Sequence, residues 1–141
     1  MTGSELALPP RQEEQFVMGL VADPTAAGPE GELAFNVYAS IAADGTGYGT
    51  LTDPVHPSYA SDLTFLSRQS SGHQYQWFGI VARSNNPNLV GQPFVLSATV
   101  RGDSASPLAF DLLGHTYRGR GLVVLAQIVI LLALLLPAVQ K

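Results

Sequence analysis

Few residues in this chain carry acid–base or metal-binding chemistry. There are three histidines, His56, His73 and His115, and no cysteine. Without thiolates there is no disulfide framework and no sulfur ligation of zinc or iron–sulfur clusters. A metal site needs two or three convergent ligands at suitable spacing. The nearest approach to one is Asp53 with His56 in Asp53-Pro-Val-His-Pro57. The two prolines there shape a turn, and turn formation explains the stretch without a metal. His115 precedes a long apolar run, where it could meet a pigment or quinone at the headgroup level. A solvated turn histidine is the simpler reading. No metal or cofactor is expected.

Covalent catalysis needs a nucleophile with its base. No serine stands in a Gly-x-Ser-x-Gly elbow. Asp103, Ser104 and His115 make a triad only on paper. Gly45-Thr-Gly-Tyr-Gly49 is glycine-rich, but it joins two predicted strands and lacks the lysine of a phosphate loop. The reading is therefore a non-enzyme.

The residues with the strongest physical demand lie at the C-terminal end. Residues 121–139 carry no charge, and Gln127 is their one strongly polar side chain. As a helix they would cover roughly 28 Å, close to the thickness of a bilayer core. The expectation is a transmembrane anchor over 119–141, with Gln127 as a helix-packing residue that bonds to a neighbouring helix. Arg118 and Arg120 precede this run and Lys141 ends it, which favours a cytoplasmic domain. No apolar leader is visible near Met1, so the expected location is a bacterial inner membrane, single-pass, with the domain on the cytoplasmic side.

The formal net charge is −4, and the sole lysine is Lys141. Nucleic acid needs clustered basic residues, so it is excluded as a partner. The expected partners are the lipid bilayer and other integral membrane subunits.

The elements between are strands. Residues 1–31 read as an extended N-terminal arm with one short apolar segment, Phe16-Val-Met-Gly-Leu-Val-Ala22, a strand or brief helix. A β domain follows over 32–118. Leu33, Phe35, Val37, Ala39 and Ile41 alternate with more polar neighbours, the period of a half-buried strand. Asp44-Gly45 signals a hairpin. Further strands are expected at 48–52, 62–68, 74–82, 92–100, 108–113 and 116–118. Short strands at spacings near ten residues predict a mainly β fold, a small antiparallel sandwich or barrel. In the fourth, Tyr75, Trp77, Gly79 and Val81 share one side, with Phe78 and Ile80 on the other. Tyr75, Trp77 and Phe78, with Arg118 and Arg120, are interface candidates.

The stretch 86–100, Asn-Pro-Asn-Leu-Val-Gly-Gln-Pro-Phe-Val-Leu-Ser-Ala-Thr-Val, resembles the opening strands of bacterial immunoglobulin-like repeat domains. The resemblance implies a sandwich and says nothing of function.

These observations point to a non-catalytic accessory or structural subunit of a larger membrane complex, respiratory or photosynthetic by analogy. The alternative is a stand-alone tail-anchored protein whose β domain captures a peptide or small ligand.

Overall fold

The computed structural model describes residues 12–28, 31–55, 60–101 and 105–128. Eight strands follow one another around a closed antiparallel barrel. They are β1 (Gln12–Gly28), β2 (Gly31–Ala42), β3 (Gly47–Thr52), β4 (Ala60–Ser71), β5 (Gln74–Ser84), β6 (Pro93–Thr99), β7 (Ser106–Leu112) and β8 (His115–Ile128). Each strand pairs with the next, and β8 pairs with β1 to close the ring. Closure leaves no sheet edge, so every strand has a partner on both sides.

Alternation decides what fills the barrel. Val17 and Val21, Val37, Ala39 and Ile41, Leu51, Leu63 and Phe65, Trp77 and Val81, Phe94 and Leu96, and Phe110 point inward and are buried. An eight-stranded barrel is just wide enough for side chains to fill it. Here three phenylalanines do so: Phe94 stacks on Phe110 at 5.2 Å and meets Phe65 edge-on at 5.1 Å. Gly79 makes room for them, because a Cβ there would lie 2.6 Å from Phe94 Cζ and 2.1 Å from the Thr64 carbonyl oxygen.

Turn chemistry sets the register. In the β2–β3 hairpin the Asp44 carboxylate accepts from the Thr46 amide and hydroxyl, and Gly45 takes a φ of 91°. Between β7 and β8, Leu113 and Gly114 both have positive φ, the twist a tight hairpin needs.

One reading is met and one requires correction. The apolar segment of the N-terminal arm, read as a strand or brief helix, is a strand and lies within β1. Both its phases are apolar: Val17 and Val21 face the core, while Phe16, Met18 and Leu20 face out. By contrast, 121–128 is not the start of a membrane helix but the second half of β8. Val123, Val124 and Ile128 are β-branched and suit a strand. Without this half, β1 from Gln12 to Gly19 would have no partner on that side. No helix among the described residues is long and apolar enough to cross a membrane. Residues 129–139, the rest of the expected span, lie outside the described residues. The sandwich implied by the local resemblance at 86–100 gives way to the barrel. That stretch forms a short 3-10 turn (Pro87–Leu89) followed by β6.

Candidate functional site

The sequence-selected residues scatter over the barrel. His115 opens β8, and its Nδ1 lies 3.3 Å from Asp23 Oδ2 at one mouth of the barrel. The Asp23 side chain is 5% exposed and the imidazole 57%. This contact ties the end of β1 to the start of β8. His73 sits in the β4–β5 turn, where its carbonyl accepts from the Val100 amide. Asp53 Oδ1 accepts from the Val55 amide, so it shapes its own loop. His56, Asp103 and Ser104 lie outside the described residues. Among the described residues no three His, Asp or Glu side chains converge on a metal-sized site.

Trp77, expected at an interface, is enclosed in the core. Its indole N–H donates to Gln15 Oε1 at 3.2 Å, and Arg68 donates to the same oxygen. A bulge in β4 between Phe65 and Ser67 turns Arg68 toward the barrel mouth. There Tyr75 stacks on Trp77 at 5.6 Å, with the Arg68 guanidinium over the Tyr75 ring. Phe78 is half-buried on the outer wall. Arg118 and Arg120 point outward from β8, beside Ala22 and Leu20 of β1. Gln127 pairs with Glu13 in the β1–β8 ladder.

The feature that asks for a partner is on the outer wall. Strand register places Val124, Phe16, Ser40 and Tyr48 in one row across β8, β1, β2 and β3. The next row runs Leu122, Met18, Tyr38 and Thr50. Met18, Leu20, Tyr38, Leu122 and Val124 are each close to half exposed, and Tyr48 is 76% exposed. Side chains directly opposite on neighbouring strands lie about 5 Å apart, so these form one continuous stripe. Glu14 borders it at one end and Arg118 and Arg120 at the other. The wall of β4 to β7 is mixed: Thr64, Gln74, Gln76, Ser97 and Asp111 face out beside Leu66, Phe78, Ile80 and Val95.

The residues of this stripe were not singled out from the sequence. A signal was present: Phe16 to Val21 is apolar in both phases, as a strand covered on both faces is. No protein-family model, no curated protein and no solved structure matches the chain.

Proposed function

We propose that this chain is a non-catalytic accessory or structural subunit of a larger assembly at a bacterial inner membrane. The observation that carries this reading is the apolar stripe on β8, β1, β2 and β3. Scattered apolar residues on a surface are ordinary, but a contiguous patch marks an interaction site. Its makeup, with tyrosine, methionine and phenylalanine at the centre and charge at the ends, is that of an interface core with a polar rim.

The link to the membrane is the apolar sequence 129–139, which follows β8 directly. As a helix this length spans about 16 Å, roughly half a bilayer core. In the proposed reading this stretch supplies the contact to the bilayer or to other membrane subunits. A binding-protein role would need its ligand on the outside, because the barrel interior is filled by side chains.

The test is purification of the full chain in mild detergent from its native membrane, with identification of co-migrating subunits. Stable co-migration with other membrane proteins, lost in the double variant Phe16→Lys/Leu122→Lys, is the expected result. A chain that partitions into the soluble fraction and migrates without membrane subunits would overturn the proposal.

A further inference from the structure

We infer that the outer wall of β2 to β5 holds a docking groove for a proline-rich segment of a partner protein, bound as a polyproline II helix. This rests on the subunit reading and names the kind of chain that binds. The starting point is Tyr48. Its side chain stands outward from β3, 76% exposed, and neither it nor Tyr38 packs on another aromatic ring of the described residues. Gly47 and Gly49 flank it, and a Cβ there would lie 2.2 Å from the Ser40 carbonyl oxygen or 2.5 Å from that of Tyr38. Strand β3 therefore lies tight against β2 and holds the tyrosine on a fixed backbone.

Tyr48 divides two cavities. One, of about 400 Å³, lies toward Tyr38, Thr50, Asp62 and Arg83. The other, of about 450 Å³, lies toward Glu14, Ala42, Thr46 and Leu66. Both are lined by Ser40, Tyr48 and Thr64, so they form one trough with an aromatic ridge across it. Tyr38 and Ala42, at its two ends on β2, are about 13 Å apart along the strand. A polyproline II helix rises about 9 Å in three residues. Prolines three residues apart therefore fall on either side of the ridge, as Pro-x-x-Pro segments do in aromatic-lined grooves.

The chemistry of the trough favours this occupant. Barrel closure pairs each strand on both sides, so an ordinary extended peptide finds no edge to bond with. Proline has no N–H to satisfy. Its carbonyl needs a donor, and the hydroxyls of Tyr38, Ser40, Tyr48, Thr50 and Thr64 line the trough. At one end Asp62 is paired with Arg83 at 3.6 Å, so that end offers no net charge. At the other end stands Glu14, which suits a segment with an arginine or lysine beside its prolines. A saccharide fits less well, since it carries more polar groups around its rings than these walls can pair.

The test is a titration of the full chain in mild detergent against a fluorescein-labelled Ala-Pro-Pro-Leu-Pro-Pro-Arg peptide, followed by anisotropy. A peptide with alanine at every proline is the control. Saturable binding of the proline peptide is expected, with the control roughly tenfold weaker or more. Tyr48→Ala should weaken binding about tenfold, as loss of a central aromatic anchor does, with the thermal melt unchanged. Leu122→Ala, in the stripe but outside the trough, should not weaken it. Glu14→Arg should weaken binding of this peptide and strengthen binding of one ending in glutamate. Equal affinity for the proline and alanine peptides, or equal loss in Tyr48→Ala and Leu122→Ala, overturns the inference. Binding of maltotriose, lost in Tyr48→Ala, with none of the peptide would assign the trough to a saccharide and also overturn it. If the peptide fails to bind while membrane subunits co-migrate, the inference falls and the subunit reading stands. If the peptide binds and no membrane subunit co-migrates, the groove stands and the subunit reading falls.

Discussion

Met18 and Leu122 sit side by side across the seam where β8 closes onto β1, and both point outward, 44% and 54% exposed. One residue away, Val17 and Val123 form the matching pair with Val17 fully buried in the core. The seam is therefore apolar on both faces, and its two faces answer to different demands. Met18→Lys or Leu122→Lys should change unfolding free energy by no more than about 0.5 kcal/mol, as exposed substitutions do. Val17→Lys should unfold the barrel, because it buries a charge without a partner. Urea denaturation of the three variants measures this. A large loss of stability in Met18→Lys would mean that this side of the seam is structural.

Gln15 is buried at the other face of the same strand, and its Oε1 serves both Trp77 and Arg68. Gln15→Leu removes that acceptor and leaves the indole N–H of a fully buried tryptophan unpaired. An orphaned buried donor costs about 1–3 kcal/mol. Trp77→Phe in the Gln15→Leu background should recover part of that loss, since the buried indole donor is then gone and only the half-buried Arg68 has lost this acceptor. Thermal melts of the double-mutant cycle test the coupling, and simple additivity would contradict it.

Gly79 faces two obstacles of different kinds. A Cβ there would stand 2.6 Å from a Phe94 ring atom and 2.1 Å from the Thr64 backbone oxygen. The ring can be trimmed, but the β4 backbone cannot move without breaking the ladder. Gly79→Ala should cost about 1–3 kcal/mol as overpacking does. Phe94→Leu should not rescue it. Recovery of stability in the double variant would show that the ring alone sets the limit.

Strands β2 to β7 were legible because each buries one face. Alternation through Leu33 to Ile41 and through Phe94 to Ala98 marked the core side directly, and Asp44-Gly45 marked a hairpin. At the seam the β1 segment read only as a strand or brief helix, and the second half of β8 as a membrane helix, for a common reason. β1 and the second half of β8 are apolar in both phases, so period two disappears. In β8 an uncharged run over 121–139 has the composition of a membrane helix, and composition carries no register. Sandwich and barrel share the same alternation, and only the pairing of β1 with β8 separates them. Trp77 and Phe78 show the limit of reading aromatics as interface residues. One residue apart, they fall on opposite sides of the wall.

Asp44 provides a pH readout of the β2–β3 hairpin. The Thr46 hydroxyl and then the Thr46 amide, both donating to its carboxylate, hold its pKa below the ordinary 3.8. Both bonds favour the charged form in the folded state. The contribution is fully present above the unfolded pKa and is lost as pH falls through the lowered folded value. A carboxyl titration by NMR should find Asp44 titrating at lower pH than an unstructured aspartate. Thr46→Val should return it toward the ordinary value. An unchanged midpoint in Thr46→Val would remove the hydroxyl as the cause.

The proposed division of the C-terminal apolar run between barrel and membrane is the most open to direct test. Eight of its residues, 121–128, are paired with β1 from Gln12 to Gly19. If they belong to the barrel, a chain ending at Ile128 retains every β1–β8 pair. It should melt within a few degrees of the full chain, allowing for about 1 kcal/mol of lost end contacts. If 129–139 supplies the proposed membrane contact, this chain should bind the membrane fraction less firmly than the full chain, although the outer stripe is still present. A chain ending at Arg120 differs by only eight residues more. It strips β1 of its partner along half its length, opens the barrel and uncovers Val17. Such an edge pairs with other chains, so aggregation is expected. If the whole of 121–139 were instead one membrane helix, both truncations would fold equally well and differ only in being soluble. Far-UV circular dichroism and sedimentation of the two truncated chains separate these outcomes. Equal stability of both would return 121–128 to the membrane.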